Sequence, residues 1–131
     1  EEKAPGSLAT AQALYNIGDV LKKQHKLFEA YGYYERSLAI RECKAPDSIG
    51  LAHCFCGIGN VHQDQGRPKA ALGFYQRALR VYEREAPDSL DMAYPLQNIG
   101  LILHAQNRYP EAIELLRRSL TILEKMAPRS L

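Results

Sequence analysis

FCGIGNVHQDQGRPKAALGFYQRAL occupies residues 55–79, and its apolar residues form two helical series around one break. Extended slightly at both ends, Leu51, Cys54, Phe55, Ile58 and Val61 advance by three or four residues; after the break Ala71, Leu72, Tyr75, Ala78, Leu79 and Tyr82 do the same. A period near 3.6 puts one apolar stripe on each of two helices. The break has the chemistry of a tight turn. Gly66 can take the left-handed conformation that closes a helix, and Pro68 suits the first turn of the next, where its missing N–H costs nothing.

The same arrangement stands 41 residues earlier, as LYNIGDVLKKQHKLFEAYGYYERSL (14–38), and 41 residues later, as LQNIGLILHAQNRYPEAIELLRRSL (96–120). A short phrase recurs with it: APGSL at 4–8, APDSI at 45–49, APDSL at 86–90 and APRSL at 127–131. Pro46 and Pro87 stop a helix there, and Asp47, Ser48, Asp88 or Ser89 can cap the next. A period of this length marks an array whose units bury their apolar faces by stacking on one another. The chain thus reads as one all-α repeat domain, 1–131, with units at approximately 4–44, 45–85 and 86–126. Residues 127–131 read as the start of a truncated fourth unit, and residues 1–3 as the tail of an earlier second helix.

Other expectations follow from departures within the pattern. The first unit has His25 and no proline, so its turn is the least well specified; Asn107 and Pro110 give a looser version in the third. Pro95, several residues into a helix, removes one hydrogen bond and is expected to bend it. Gly18, Gly59 and Gly100 sit mid-helix, where glycine costs roughly 1 kcal/mol against alanine. Close approach of a partner helix is the expected compensation, with Ala30, Ala71 and Ala112 as the surfaces met.

Composition narrows the function classes. Seventeen basic and 15 acidic residues leave a net charge of +2, which gives no general electrostatic drive toward nucleic acid or acidic lipid. No apolar run approaches the ~20 residues that span a bilayer. The three cysteines, Cys43, Cys54 and Cys56, are odd in number and do not follow the repeat, so a disulfide framework is not expected. A cytoplasmic setting follows. His53 and Cys56 share a helix face at metal-pair spacing but lack a second pair, so neither metal nor cofactor is expected; Cys54 reads as core, Cys56 and His53 as surface. No phosphate loop, nucleophile elbow or His-Glu-x-x-His string is present, and the chain does not read as an enzyme.

A large residue, Ile-Gly three and four later, Ala twelve after the glycine, Tyr34, Tyr75 or Leu116 four further on, and then a small residue before Leu: this pattern resembles the tetratricopeptide repeat. The units exceed the usual 34 residues, and their Pro-Asp-Ser steps and "LxNIG" openings resemble the longer repeats of kinesin light chains. The resemblance implies a right-handed α-solenoid of three helix-turn-helix repeats. It also implies a concave groove, lined by the first helix of each pair, that holds an extended peptide or a partner's helix.

Carried over by position, the groove residues are Gln12, Tyr15, Asn16, Asp19, Lys22 and Lys23 in the first repeat. The second gives His53, Cys56, Gly57, Asn60, Gln63 and Asp64, and the third Tyr94, Gln97, Asn98, Leu101, His104 and Ala105. By the same resemblance Asn16 and Asn98 are backbone clamps, since an amide both donates to and accepts from a main chain. Gly57 stands where the middle repeat would carry the clamp, and Asn60 is its nearest substitute. Asp19 and Asp64 offset Lys22 and Lys23, so no receptor for a C-terminal carboxylate is expected. The second-helix charges Arg77, Arg80, Arg117 and Arg118 read as a solvated convex face. The leading function is a protein-interaction module; the rival is a structural or self-assembling scaffold with an empty groove. Apolar Ile113, Leu116, Leu120 and Leu123 on the last helix would favour head-to-tail contacts between copies.

Overall fold

A computed structural model describes residues 6–126. These residues form six helices: α1 (Leu8–Lys23), α2 (Leu27–Lys44), α3 (Ile49–Asp64), α4 (Pro68–Glu85), α5 (Leu90–Ala105) and α6 (Tyr109–Met126). They pair as α1–α2, α3–α4 and α5–α6, and the pairs stack in sequence order through α2–α3 and α4–α5. The architecture is the right-handed α-solenoid of three repeats. The phrase at 127–131 and the segment 1–3 lie outside the described residues.

All three turns within the repeats have one geometry. His25, Gly66 and Asn107 have φ of 64°, 75° and 64°. The N–H groups of Lys26, Arg67 and Arg108 return to the carbonyls of Leu21, His62 and Leu103 at 2.9, 2.8 and 2.9 Å. Those of His25, Gly66 and Asn107 reach Lys22, Gln63 and His104 at 2.9, 3.0 and 2.9 Å. This is the paired closure of a Schellman motif. The first turn is therefore as well defined as the others, and the third is no looser than the second. The backbone closure dictates the turn, and proline at its exit is dispensable.

Between repeats, Ser7 and Ser48 cap α1 and α3 by accepting from the N–H groups of Thr10 and Leu51 at 3.2 and 3.3 Å. Ser89 occupies the same place before α5, but its hydroxyl is buried without a partner. α5 continues unbroken through Pro95, whose ring is buried in the core. Pro95 therefore does not end the helix.

Hydroxyls tie two of the helix pairs together. Ser37 in α2 donates to the Ala11 carbonyl of α1 at 2.7 Å, and Ser119 in α6 donates to the Ala93 carbonyl of α5 at 3.1 Å. The two bonds occupy equivalent positions of the first and third repeats. In the middle repeat Ala78 takes the serine's place and contributes only apolar packing.

The glycine expectation is half right. All three sit at close contacts, but the facing groups are large. A Cβ on Gly18 or Gly59 would lie 2.9 Å from the ring of Tyr34 or 2.8 Å from that of Tyr75, and one on Gly100 would lie 2.8 Å from Leu116. Ala30, Ala71 and Ala112 are buried in the same interfaces, yet the side chain one turn beyond each fills the space above the glycine. The Ala112 carbonyl oxygen also lies 3.4 Å from a Cβ on Gly100. Tyr34 meets a second glycine: a Cβ on Gly57, in the next repeat, would lie 2.9 Å from its ring.

Candidate functional site

α1, α3 and α5 line one face of the solenoid, and a cavity of about 370 Å³ opens between them. Tyr15, Asp19 and Lys23 enter it from α1, His53, Cys56 and Asn60 from α3, and Tyr94 from α5. These seven expected groove residues therefore converge. Helical spacing alone brings each set to one side, and stacking of the repeats brings the three sets together.

Three further residues line the cavity: Tyr82 near the end of α4, and Leu90 and Asp91 at the start of α5. They flank the Ala-Pro-Asp-Ser step between repeats, outside the mid-helix stretch from which the groove was inferred. The signal for them was present in the recurring phrase, since a step that returns the chain to the groove side must place its neighbours there.

Other expected groove residues have structural employment. Gln12 accepts at 2.9 Å from the guanidinium of buried Arg41 and donates at 2.9 Å to the amide oxygen of Asn16. Lys22 lies 3.8 Å from Asp64, an ion pair between the first and second repeats. Gln63 and Asn98 are half-buried, Gln97 and Leu101 are exposed, and the His104 ring lies 5.7 Å from that of Tyr109. None of these lines the cavity.

Cys56 corrects the sequence reading. It is buried, not a surface residue, and burial pushes its thiol up to about 12. The ring of Tyr82 and the incoming α5 cover the helix face that spacing assigned to solvent. His53, half-buried, sits between Tyr15 and Tyr82, with ring centroids at 6.4 and 6.1 Å, and its Nε2 is 3.5 Å from an Asp91 carboxylate oxygen. Arg77 is also more than a solvated charge: its guanidinium lies over the rings of Phe55 and Phe74, 4.4 and 5.5 Å from their centroids.

Hydrogen bonds decide what the polar residues can offer a ligand. The Tyr34 phenol donates to a carboxylate oxygen of Asp19. One repeat on, Asn60 accepts at its amide oxygen from Tyr75 at 2.5 Å and from Tyr94 at 2.7 Å. With the Asn16 oxygen also occupied, Asn16 and Asn60 keep their NH₂ groups as the available donors, which suit the carbonyls of a passing main chain. Burial raises the phenols of Tyr15, Tyr34, Tyr75 and Tyr82 well above the usual tyrosine range, so they stay neutral donors.

Among the described residues no helix is long and apolar enough to cross a membrane. The chain resembles several solved structures in fold. It covers 93% of its length on MamA, at 20% identity and a TM-score of 0.72, and takes in 63% of that chain. On BtubC (BKLC) from P. vanneervenii the values are 88%, 21% and 0.80, with 47% of that chain covered. On aspartyl phosphate phosphatase F from Bacillus subtilis they are 93%, 22% and 0.81, with 32% covered. The chain thus spans less than two thirds of the length of each, and these identities speak to the fold alone. No curated protein matches it in sequence. The tetratricopeptide-repeat profile matches residues 9–84 and 75–125. With that profile covering nearly all of its helices, the chain belongs to the tetratricopeptide repeat family.

Proposed function

We propose that this chain is a protein-interaction module that holds an extended peptide or a partner helix in the groove lined by α1, α3 and α5. Tetratricopeptide repeats generally serve as protein-interaction modules rather than enzymes. The observation that carries the reading is the single cavity to which three successive repeats each contribute polar and aromatic side chains. Only a ligand that runs across the repeats meets all of them; the Asn60 amide opens into the cavity, and Asn16 and Asn98, on α1 and α5 outside its lining, offer further amides to the ligand's main chain. The proposed domain is the whole chain, 1–131, built of units at 4–44, 45–85 and 86–126, and no nucleic acid, membrane or cofactor enters the proposed role. The free thiols of Cys43, Cys54 and Cys56 suit a reducing, cytoplasmic setting.

Calorimetry with a peptide selected on the intact chain tests the groove. Asn16→Ala and Asn98→Ala should each weaken binding by roughly 0.5–1.5 kcal/mol while the fold stays unchanged. Unaltered affinity in both variants would remove the clamp.

A second reading, a self-assembling scaffold, is favoured by one specific observation. Ile113, Leu120 and Leu123 are exposed along α6, and Leu8, Ile17 and Val20 are exposed on α1 at the other end. A concavity of about 420 Å³ lies beside α6, lined in part by Pro110, Ile113, Arg117 and Ile122. At ~25 cal/mol per Å² of apolar surface, covering such faces drives heterologous head-to-tail association. Sedimentation across a concentration series checks it: assembly that Leu120→Asp abolishes supports the scaffold, and a monomer throughout removes it.

A further inference from the structure

We infer that the groove cavity receives a basic side chain of the bound segment, arginine before lysine; this inference rests on the peptide-groove reading above. Its aromatic walls are the rings of Tyr15, Tyr82 and Tyr94, and the charged groups lining it are Asp19, Asp91 and Lys23. Two carboxylates against one ammonium leave the cavity net negative, whereas the whole chain carries +2. The local sign therefore opposes the global one.

Several aspects of the cavity select for a cation. The face of an aromatic ring carries the negative lobe of its quadrupole and attracts a positive group, more strongly where water is partly excluded. The tyrosines supply that attraction as neutral rings, because burial raises their phenols, Tyr94 included. The carboxylates add full charge. Asp19 uses one oxygen for the Tyr34 phenol and keeps the other, and Asp91 reaches His53 only at 3.5 Å. An acidic side chain would meet both carboxylates with only the exposed Lys23 to offset them, since Lys22 lies outside the cavity and is engaged by Asp64 at 3.8 Å. An apolar side chain would desolvate the carboxylates without compensation. A guanidinium stacks flat on a ring while its edge donates to carboxylates, which a compact ammonium does less well.

The test is selection of a randomised, extended peptide library on the intact chain, followed by affinity measurement. Recovered sequences should share one position rich in arginine. Replacing that arginine with citrulline, which keeps the shape and loses the charge, should weaken binding about ten-fold, the scale of a partly desolvated cation–π contact. Asp91→Asn should weaken the arginine peptide and leave the citrulline peptide unchanged, and Lys23→Glu should strengthen the arginine peptide. Asp91 and Lys23 are both exposed, and thermal melts establish that the variants fold. Peptides that lose affinity on Asn98→Ala yet bind equally well with citrulline, or carry an acidic residue at that position, would overturn the cation pocket and leave the groove standing. A library that yields no binder would overturn both.

Discussion

Tyr75 donates its buried phenol to the amide oxygen of Asn60 at 2.5 Å, and the pair is repeated, with different chemistry, in the neighbouring units. One unit earlier the partners are Tyr34 and Asp19; one unit later Leu116 and Leu101 occupy both positions, so the donor and the acceptor disappear together. A buried hydroxyl needs an acceptor, and where the hydroxyl is absent the acceptor is not needed. Asp19 and Asn60 are thus committed to the fold before they are offered to a ligand.

Coupling within this pair is measurable. Tyr75→Phe should cost about 0.5–1.5 kcal/mol, whereas Asn60→Leu, which strands the phenol, should cost about 1–3 kcal/mol. In a double-mutant cycle the second change should cost less once Tyr75→Phe is present. Strictly additive denaturation midpoints would show that the bond contributes nothing.

Two helical glycines should respond in opposite directions to the same change. Gly59→Ala would put a methyl group 2.8 Å from a Tyr75 ring that its own hydrogen bond holds in place, and overpacking of this kind costs about 1–3 kcal/mol. Around Gly73, in exposed helix, a Cβ meets nothing within 4 Å, so Gly73→Ala should stabilise by roughly 0.5–1 kcal/mol through helix propensity. Melting temperatures that move together would contradict this packing.

These contacts show how far the sequence could be read. The 41-residue period disclosed the helix pairs and their turns, because those depend on spacing; which side of α1, α3 and α5 to expect in a groove came from the resemblance to tetratricopeptide repeats. The period misassigned the groups facing Gly18 and Gly59: an invariant alanine looks like the natural partner of an invariant glycine, but side-chain reach puts the tyrosine one turn further on into the gap. Cys56 was misread for a related reason. Spacing identifies a helix face, while its coverage depends on Tyr82 and α5, which arrive from elsewhere in the chain. Tyr82, Leu90 and Asp91 escaped notice because they join the cavity through the stacking of one repeat on the next.

Thiol reactivity should separate the three cysteines. Cys43 is exposed, whereas Cys54 and Cys56 are buried and burial raises both thiols. Only thiolate reacts. A chromogenic disulfide reagent should modify Cys43 quickly in the native protein and reach the other two only in denaturant. Rapid native modification at Cys56, located by peptide mapping, would show that α5 does not seal that face.

Acid should destabilise the fold through His62. Its ring stacks on Phe74 at 5.4 Å and meets Tyr31 edge-on at 5.7 Å; burial, followed by the nearby Arg67, lowers its affinity for a proton below the ordinary value of 6.5. The unfolded chain takes up that proton first, so the stabilising contribution is present above 6.5 and is lost as pH falls below it. Melting temperatures should decline on the acid side, and His62→Gln should flatten that decline. An identical pH profile in the variant would assign the loss to other groups.

The Tyr34 ring fills a slot shared by Gly18 of its own repeat and Gly57 of the next. After Tyr75 the position equivalent to Gly57 holds Asn98, so the two junctions are not copies of each other. The units therefore carry an address as well as a fold. A permuted array in which the third unit directly follows the first would set an asparagine side chain where the Tyr34 ring now lies against bare backbone, so the ring would have to shift for the join to close. Sequence similarity among the repeats hides junctions that differ from one another, and with them a preferred order of the units.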